Sequence, residues 1–475
     1  MSAAALWPWL EPAARWTALL VIATGFAESF LYFVQLMVAA RALVRHVPIR
    51  RSAAMWRLYS DVAPPIALLV PAYNEESTIV DSVRSLLSLQ YPAFEVIVVN
   101  DGSTDLTLET LIAAFGLGPI SRSYDPAVEH APLRALYGSP SYPNLVVLDK
   151  ENGGGKADAL NAGINLSRAP LFCAIDADSI LEPDALFRAV QPFIDDPAHT
   201  VVAGGTIRVI NGCRVNAGRV VEVGLPRRFL PLVQTIEYLR AFLMARVAWS
   251  EMRALAIVSG AFGIFRRSAA VAVGGYSRDT VGEDFEIIIK IRRRMQEERK
   301  AYAIRFVPEP VCWTEAPESL AALKGQRVRW QRGSLETFFK HWRVLFSPRY
   351  GRLGLVAMPN TFLIDVLGPP VQLLGYLLLP AFWAMGALSL DYMLAFLALT
   401  FVYGVFVSVG SLILEEIELR RFLTARDLTR LLFAAVAENF GYRQLNNWWR
   451  VVGWWRFLRN AEGWGDMTRI GFRKE

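Results

Sequence analysis

Four short stretches of this sequence hold acids and glycines at spacings that could do chemistry. "IDADS" (175–179) ends an apolar run in Asp176-x-Asp178. Two carboxylates side by side at the end of a buried strand repel each other and need a neutralising partner. A divalent cation bridging to a diphosphate is one such partner, and hard oxygen ligands suit Mg²⁺ or Mn²⁺. "VGEDFEIIIKIRRR" (281–294) sets Glu283 and Asp284 at the start of an amphipathic helix. Acids in a first helical turn ordinarily complement the dipole, but a carboxylate near a metal site can also act as general base toward an attacking hydroxyl. "NDGSTD" (100–105) closes another apolar run with Asp101, which could accept the N3–H of a uracil base while Ser103 or Thr104 caps the next helix. "NGGGKADALN" (152–161) is a glycine-rich loop opening into a helix. It lacks the P-loop spacing, which disfavours a nucleoside-triphosphate hydrolase. Its amides and Lys156 still suit a phosphate at a helix N-terminus.

A fifth stretch is basic. "KGQRVRWQRG" (324–333) gathers Lys324, Arg327, Arg329 and Arg332 around Trp330, with Lys340 slightly beyond. Taken alone it reads as an amphipathic helix lying on an anionic surface. Other chemistries are poorly supplied. The four histidines are scattered, which argues against a zinc or histidine-based site. Cys173, Cys213 and Cys312 form no Cys-x-x-Cys pair and read as free thiols in a reducing compartment. A net charge of +6 over 475 residues suits anionic lipid or substrate, is too small to argue for nucleic acid, and comes with no nucleic-acid motif.

The elements that must position these residues are legible as alternating runs. "IALLVPAYN" (66–74), "FEVIVVND" (94–101), "NLVVLD" (144–149) and "LFCAIDAD" (171–178) read as buried strands, with helices at 76–89, 104–115 and 156–166. Such alternation predicts an α/β domain with a parallel or mostly parallel sheet covered on both faces. Ligands bind such sheets beyond the carboxyl ends of the strands, where Asp101, Asp176 and Asp178 lie.

Part of the chain belongs in a bilayer. Hydrophobic residues make up 53% and tryptophans number fourteen, and the mean hydropathy is +0.30. Residues 17–40 are long enough to span, with Glu28 their only charge, and the run exceeds the ~7–15 residues of a signal-peptide core. Arg41, Arg45, Arg50, Arg51 and Arg57 follow it, so the positive-inside rule puts the next segment in the cytoplasm. Residues 366–390 and 392–414 read as two further spans joined by a short outside turn at Asp391. Residues 431–455 carry Glu438, Arg443 and Arg450 and are expected to be interfacial or re-entrant, since charges in hydrocarbon cost ~2.5–3.5 kcal/mol each. The expected organisation is a span and basic linker (1–58), a cytoplasmic domain with interfacial helices at about 228–249 and 318–346 (59–350), and a membrane region with a cytoplasmic tail (351–475).

Together "PAYNE" (71–75), Asp101 in "NDGSTD", Lys156 in "GGKADALN", "DAD" (176–178), Glu283-Asp284 and "QRVRW" (326–330) resemble the motifs of the processive family-2 glycosyltransferases. These membrane-embedded synthases make cellulose, chitin, hyaluronan and poly-N-acetylglucosamine. The similarity covers about 60–350 and the flanking spans. Each motif is weak alone, and their shared order makes the set specific. Gly282 replaces the usual Thr before Glu-Asp, a departure that should be tolerable because the acid does the chemistry, and fused regulation by a C-terminal cyclic-nucleotide domain is not expected. The resemblance implies a GT-A-type, Rossmann-like domain and an inverting transfer from a UDP-sugar, glucose or N-acetylglucosamine. It implies Asp284 as general base beside Glu283, with Mg²⁺ or Mn²⁺ on Asp176 and Asp178. Asp101, Lys156, Arg329 and Arg327 would bind the donor nucleotide. Trp330 would stack on the acceptor sugar with Gln326 nearby, and Trp464 and Arg469 of "GWGDMTR" would close over bound nucleotide. The implied partners are the growing polysaccharide, membrane lipids and accessory secretion subunits, at the plasma (inner) membrane. A non-processive transferase making a glycolipid would share Asp101 and Asp176/Asp178, and a nucleotide-sugar-binding transporter or scaffold would not need Asp284.

Overall fold

The computed structural model describes residues 3–46, 52–216, 218–418 and 424–459; Trp464 and Arg469 lie outside them. Its strands are β1 (Ile66–Ala72), β2 (Phe94–Asp101), β3 (Gly118–Pro119), β4 (Leu133–Gly138), β5 (Leu145–Lys150), β6 (Leu171–Ile175), β7 (Ile180–Leu181), β8 (Thr200–Val209), β9 (Arg214–Asn216), β10 (Arg219–Glu222), β11 (Phe262–Arg266) and β12 (Ala303–Thr314). Ten of them form one sheet in the order β3-β4-β5-β2-β1-β6-β11-β8-β12-β7, with β9 and β10 a separate hairpin. β5, β2, β1 and β6 are mutually parallel, so their carboxyl ends share one edge. Continuous apolar runs suit strands buried on both faces, and nearly every residue of these four is buried. The helices Ile79–Leu87, Thr107–Phe115 and Lys156–Leu166 follow the expected strands closely.

β11 enters antiparallel between β6 and β8, which makes the sheet mixed and carries it well beyond residue 210. The β12 stretch "AIRFVPEPVCWT" contains two prolines, which argue against a central strand. It is accommodated by register shifts against β8 at Val307/Pro310 and Pro310/Cys312.

Among the described residues three helices are long and apolar enough to cross a membrane, Glu11–Arg45, Leu353–Ala384 and Leu390–Glu416. The last two are joined at 385–389, so Asp391 stands in the first turn of a helix rather than in the turn between spans. The segment 431–455 is not continuous: the helix Ala425–Ala437 ends, and a new helix Tyr442–Leu458 begins after Gly441. Its charges face protein. Glu438 takes bonds from Arg240 (2.5 Å), Arg443 (3.0 Å) and Ser408 (2.5 Å). Arg450 binds Gln331 and Asp365 at 2.8 Å each.

The segment 228–249 does not lie open on a surface. Leu232, Val233, Ile236 and Leu239 are covered by Leu412, Leu431, Ala434 and Ala435 of the C-terminal helices. Arg208 of β8 makes a fully buried pair with Glu415 at 2.5 and 2.6 Å, fixing the sheet to the last candidate span.

Candidate active site

Parallel pairing sets Asp101, the last residue of β2, directly beside Lys150, the last residue of β5. Lys150 is completely buried; its ammonium bridges Asp101 and Asp158, the latter at 2.6 Å. Gly153 N–H also donates to Asp101 Oδ1 at 3.1 Å, and the Asn152 amide to the Asp101 carbonyl at 2.8 Å. The carboxylate at this strand end is therefore held in one orientation by the glycine-rich loop and a buried lysine. Asp158 accepts from the Ala131 amide (3.0 Å) and Arg278 (3.1 Å) as well. Burial pushes its carboxyl up, but Lys150, Ala131 and Arg278 outweigh that and hold it below its ordinary value. Lys150 and Asp158 escaped the reading of motifs. The signal was available, since "NLVVLDK" ends in a lysine at a strand end that must be dry.

The loops after β1 and β2 are stitched together. Asn74 accepts from the Thr104 amide at 2.8 Å, the Asn74 amide donates to Ser103 Oγ at 3.1 Å, and the Glu75 amide to Thr107 Oγ1 at 2.8 Å. Ser103 and Thr104 thus serve "PAYNE" rather than capping the helix at Thr107, whose amide donates instead to Asp105 Oδ1 at 3.0 Å.

Beyond β6, Asp176 pairs with Lys156, which also donates to the Gly260 carbonyl at 2.7 Å. Burial would lower the Lys156 ammonium, but Asp176 and Glu283 raise it above its ordinary value overall. Asp178 is pushed up to about 7 by burial and by the charge of Asp176. Glu283 is likewise pushed up to about 7 by burial and by Asp284. Asp284 Oδ1 accepts from the Phe285 amide at 2.8 Å. A methyl group on Gly260 would stand 3.3 Å from both Asp284 Oδ2 and Lys156 Nζ, so these side chains meet over that glycine. Four acids thus converge on one lysine.

A divalent cation fits this donor set. Among the described residues no three acids or histidines are grouped as a protein-only metal site. Two adjacent strand-end carboxylates with the remaining positions left for diphosphate and water is the arrangement expected of Mg²⁺ or Mn²⁺ held with a nucleotide. If Asp178 holds that cation, its carboxyl, pushed up to about 7 by burial and by Asp176, sets proton against cation there. Mn²⁺-dependent UDP affinity should therefore weaken as pH falls below 7, by up to about tenfold per unit. Calorimetric titration of UDP with Mn²⁺ at pH 8, 7 and 6 checks this; a flat profile would contradict the assignment.

The Glu283-Asp284 turn is clamped to the helix Leu320–Lys340, which carries "QRVRW". Glu336 of that helix accepts from Thr280 Oγ1 (3.0 Å) and the Val281 amide (2.9 Å), and His341 meets Glu286 at 3.1 Å. Gly282 and Gly333 touch backbone to backbone, and a Cβ on either would come within 2.7–2.8 Å of the other. That contact gives the glycine before Glu283 a physical reason: a threonine cannot fit there.

On the same helix Trp330 is 45% exposed. The Arg327 guanidinium lies 4.4 Å from the centroid of its ring. Arg327 is buried and paired with Glu237 at 2.6 Å, so it is committed away from a diphosphate. Gln326 Oε1 is buried and makes no hydrogen bond among the described residues. One cavity of about 2940 Å³ is lined by Asp101, Lys156, Asp176, Asp178, Glu283 and Asp284, by Gln326, Arg329 and Trp330, and by faces of all three candidate spans.

A mixed α/β sheet whose parallel strands end on one acid-bearing edge gives this chain a GT-A-type fold. Residues 67–270 match glycosyl transferase family 2, and residues 171–407 match glycosyl transferase family group 2. The chain belongs to the family-2 glycosyltransferases. It is 30% identical over 291 residues to the poly-beta-1,6-N-acetyl-D-glucosamine synthase of Staphylococcus aureus (strain COL), covering 60% of this chain and 59% of that protein. Against the synthase of the same name from Staphylococcus epidermidis it is 29% identical over 297 residues, covering 62% and 61%. The chain thus spans about three fifths of the length of these relatives. Among solved structures, the mannosyltransferase PcManGT from Pyrobaculum calidifontis, in complex with GDP-Man and Mn²⁺, shares the fold. Its TM-score is 0.52 at 18% identity, over 93% of this chain and 100% of that one.

Proposed function

We propose that the protein is an inverting, processive synthase that builds a β-linked polysaccharide from UDP-N-acetylglucosamine and passes it across the membrane. The observation that carries this reading is the single cavity joining the strand-end carboxylates, Trp330 and the walls of the candidate spans. A glycolipid-forming transferase has no use for a route of that kind. The choice of sugar rests on the staphylococcal relatives.

In this mechanism Asp101, fixed by Lys150, receives the uracil base, and Lys156 and Arg329 face the diphosphate. Asp176 and Asp178 would hold the divalent cation, which offsets charge on the leaving UDP. Asp284 takes the proton from the acceptor hydroxyl as it attacks the anomeric carbon, while Glu283, buried and raised to about 7, keeps net charge at the base low. Displacement in one step inverts that carbon, and no nucleophilic side chain is required. Trp330 offers its exposed face to the acceptor sugar and Gln326 a hydrogen bond. The arginines after residue 41 favour a cytoplasmic catalytic domain in a multi-pass plasma (inner) membrane protein. Accessory secretion subunits are natural partners for an exported chain.

Trp330→Ala separates acceptor from donor. UDP affinity and melting temperature should be kept, while product length falls about tenfold, the scale of ~1.5 kcal/mol of lost stacking. Residual turnover should hydrolyse donor. A folded variant that still makes full-length polymer would refute the stacking role, and loss of stability with every activity would make Trp330 a helix anchor.

A further inference from the structure

One carboxylate inside the membrane region is left over once donor and acceptor groups are assigned. Glu28 lies mid-way along the candidate span Glu11–Arg45 and is 8% exposed. Its Oε2 accepts from Gln372 at 2.7 Å, whereas its Oε1 is buried with no hydrogen-bond partner among the described residues. Gly368 makes room for that oxygen, since a Cβ there would stand 2.6 Å from it. Intramembrane acids are costly, and where they occur they face cavities and mark substrate paths.

Glu28 faces such a cavity. Thr24, Glu28, Tyr32 and Gln35 form one stripe of the helix on the wall of the same cleft that holds Asp284. From residue 24 to 35 that stripe rises about 16 Å. The opposite face of the helix is apolar and open, with Phe26 at 64%, Phe30 at 58% and Phe33 at 43% exposure. Lipid therefore meets the phenylalanines, and the carboxylate meets the interior. The arginines nearby are occupied, Arg450 by Asp365 and Arg443 by Glu438. Glu28 makes no ion pair among the described residues.

We propose that Glu28 is a saccharide-binding group within the membrane, whose carboxyl group, with one oxygen unpartnered, turns to accept a hydrogen bond from a hydroxyl or acetamido N–H of the departing product chain. The inference rests on the polymer reading above and adds a product subsite to it. An acceptor that serves every sugar in turn would hold the chain against back-sliding between additions and so set product length.

The test uses the full chain in lipid nanodiscs with UDP-N-acetylglucosamine, comparing wild type, Glu28→Gln and Glu28→Ala for UDP affinity, melting temperature and product length. Loss of a buried hydrogen bond predicts product up to about tenfold shorter for Glu28→Ala, with UDP affinity kept. Glu28→Gln keeps shape and a partner for Gln372, so it carries the test if the alanine variant folds poorly. It should shorten product to a smaller extent. Full-length product from every one of the two variants that folds overturns the proposal alone. Wild-type protein that releases UDP without forming polymer overturns the polymer reading and this subsite with it.

Discussion

Asp284→Asn is expected to lower sugar transfer by about 10²–10⁴-fold while leaving UDP affinity within about twofold of wild type. The amide keeps the shape of the side chain and can still accept from the Phe285 amide, as the carboxylate does at 2.8 Å. It cannot take a proton. Glu283 is a poor substitute, because burial still raises its carboxyl once the Asp284 charge is gone. Donor binding uses Asp101, Lys156 and the Asp-x-Asp pair instead. UDP release in the presence of acceptor, set against UDP titration, measures both halves. Near-wild-type turnover would move the base elsewhere.

The second large effect concerns a residue with no place in the motifs. Lys150→Met removes the ammonium that neutralises two buried carboxylates, Asp101 and Asp158. Breaking a buried ion pair from one side costs about 3–5 kcal/mol, since the remaining charge is stranded. The variant should melt well below wild type and lose UDP affinity as Asp101 swings or protonates. Adding Asp158→Asn should restore part of the stability by removing one stranded charge. An unchanged melting temperature in the single variant would show that Lys150 is not a structural counter-ion.

The parallel half of the sheet was readable because its strands are uninterrupted apolar runs, each followed by a glycine- or acid-bearing turn. Asp101, Lys156, Asp176 and Asp178 therefore fall on one edge, as the strand ends imply. Glu283 and Asp284 reach that site through the antiparallel half, which hides behind the Gly-Gly of β8 and the prolines of β12. Nor could local patterns reveal long-range charge pairing. The family resemblance implies Arg327 as a diphosphate ligand, yet Glu237, ninety residues earlier, pairs with it. Glu438 and Arg450 make 431–455 too polar for a simple span, and each is satisfied by partners from distant segments. Gly282 read as a tolerated departure, and only its contact with Gly333 explains it.

The central claim is that one cavity serves donor, acceptor and product, and polymer length tests it most directly. Purified protein in lipid nanodiscs would be incubated with Mn²⁺ or Mg²⁺ and either UDP-N-acetylglucosamine or UDP-glucose, with UDP release and product size measured on the same samples. Long β-linked polymer is expected from UDP-N-acetylglucosamine, with UDP released in proportion to sugars added and little product from UDP-glucose. A single sugar transferred to lipid, with no polymer from either donor, would contradict the claim.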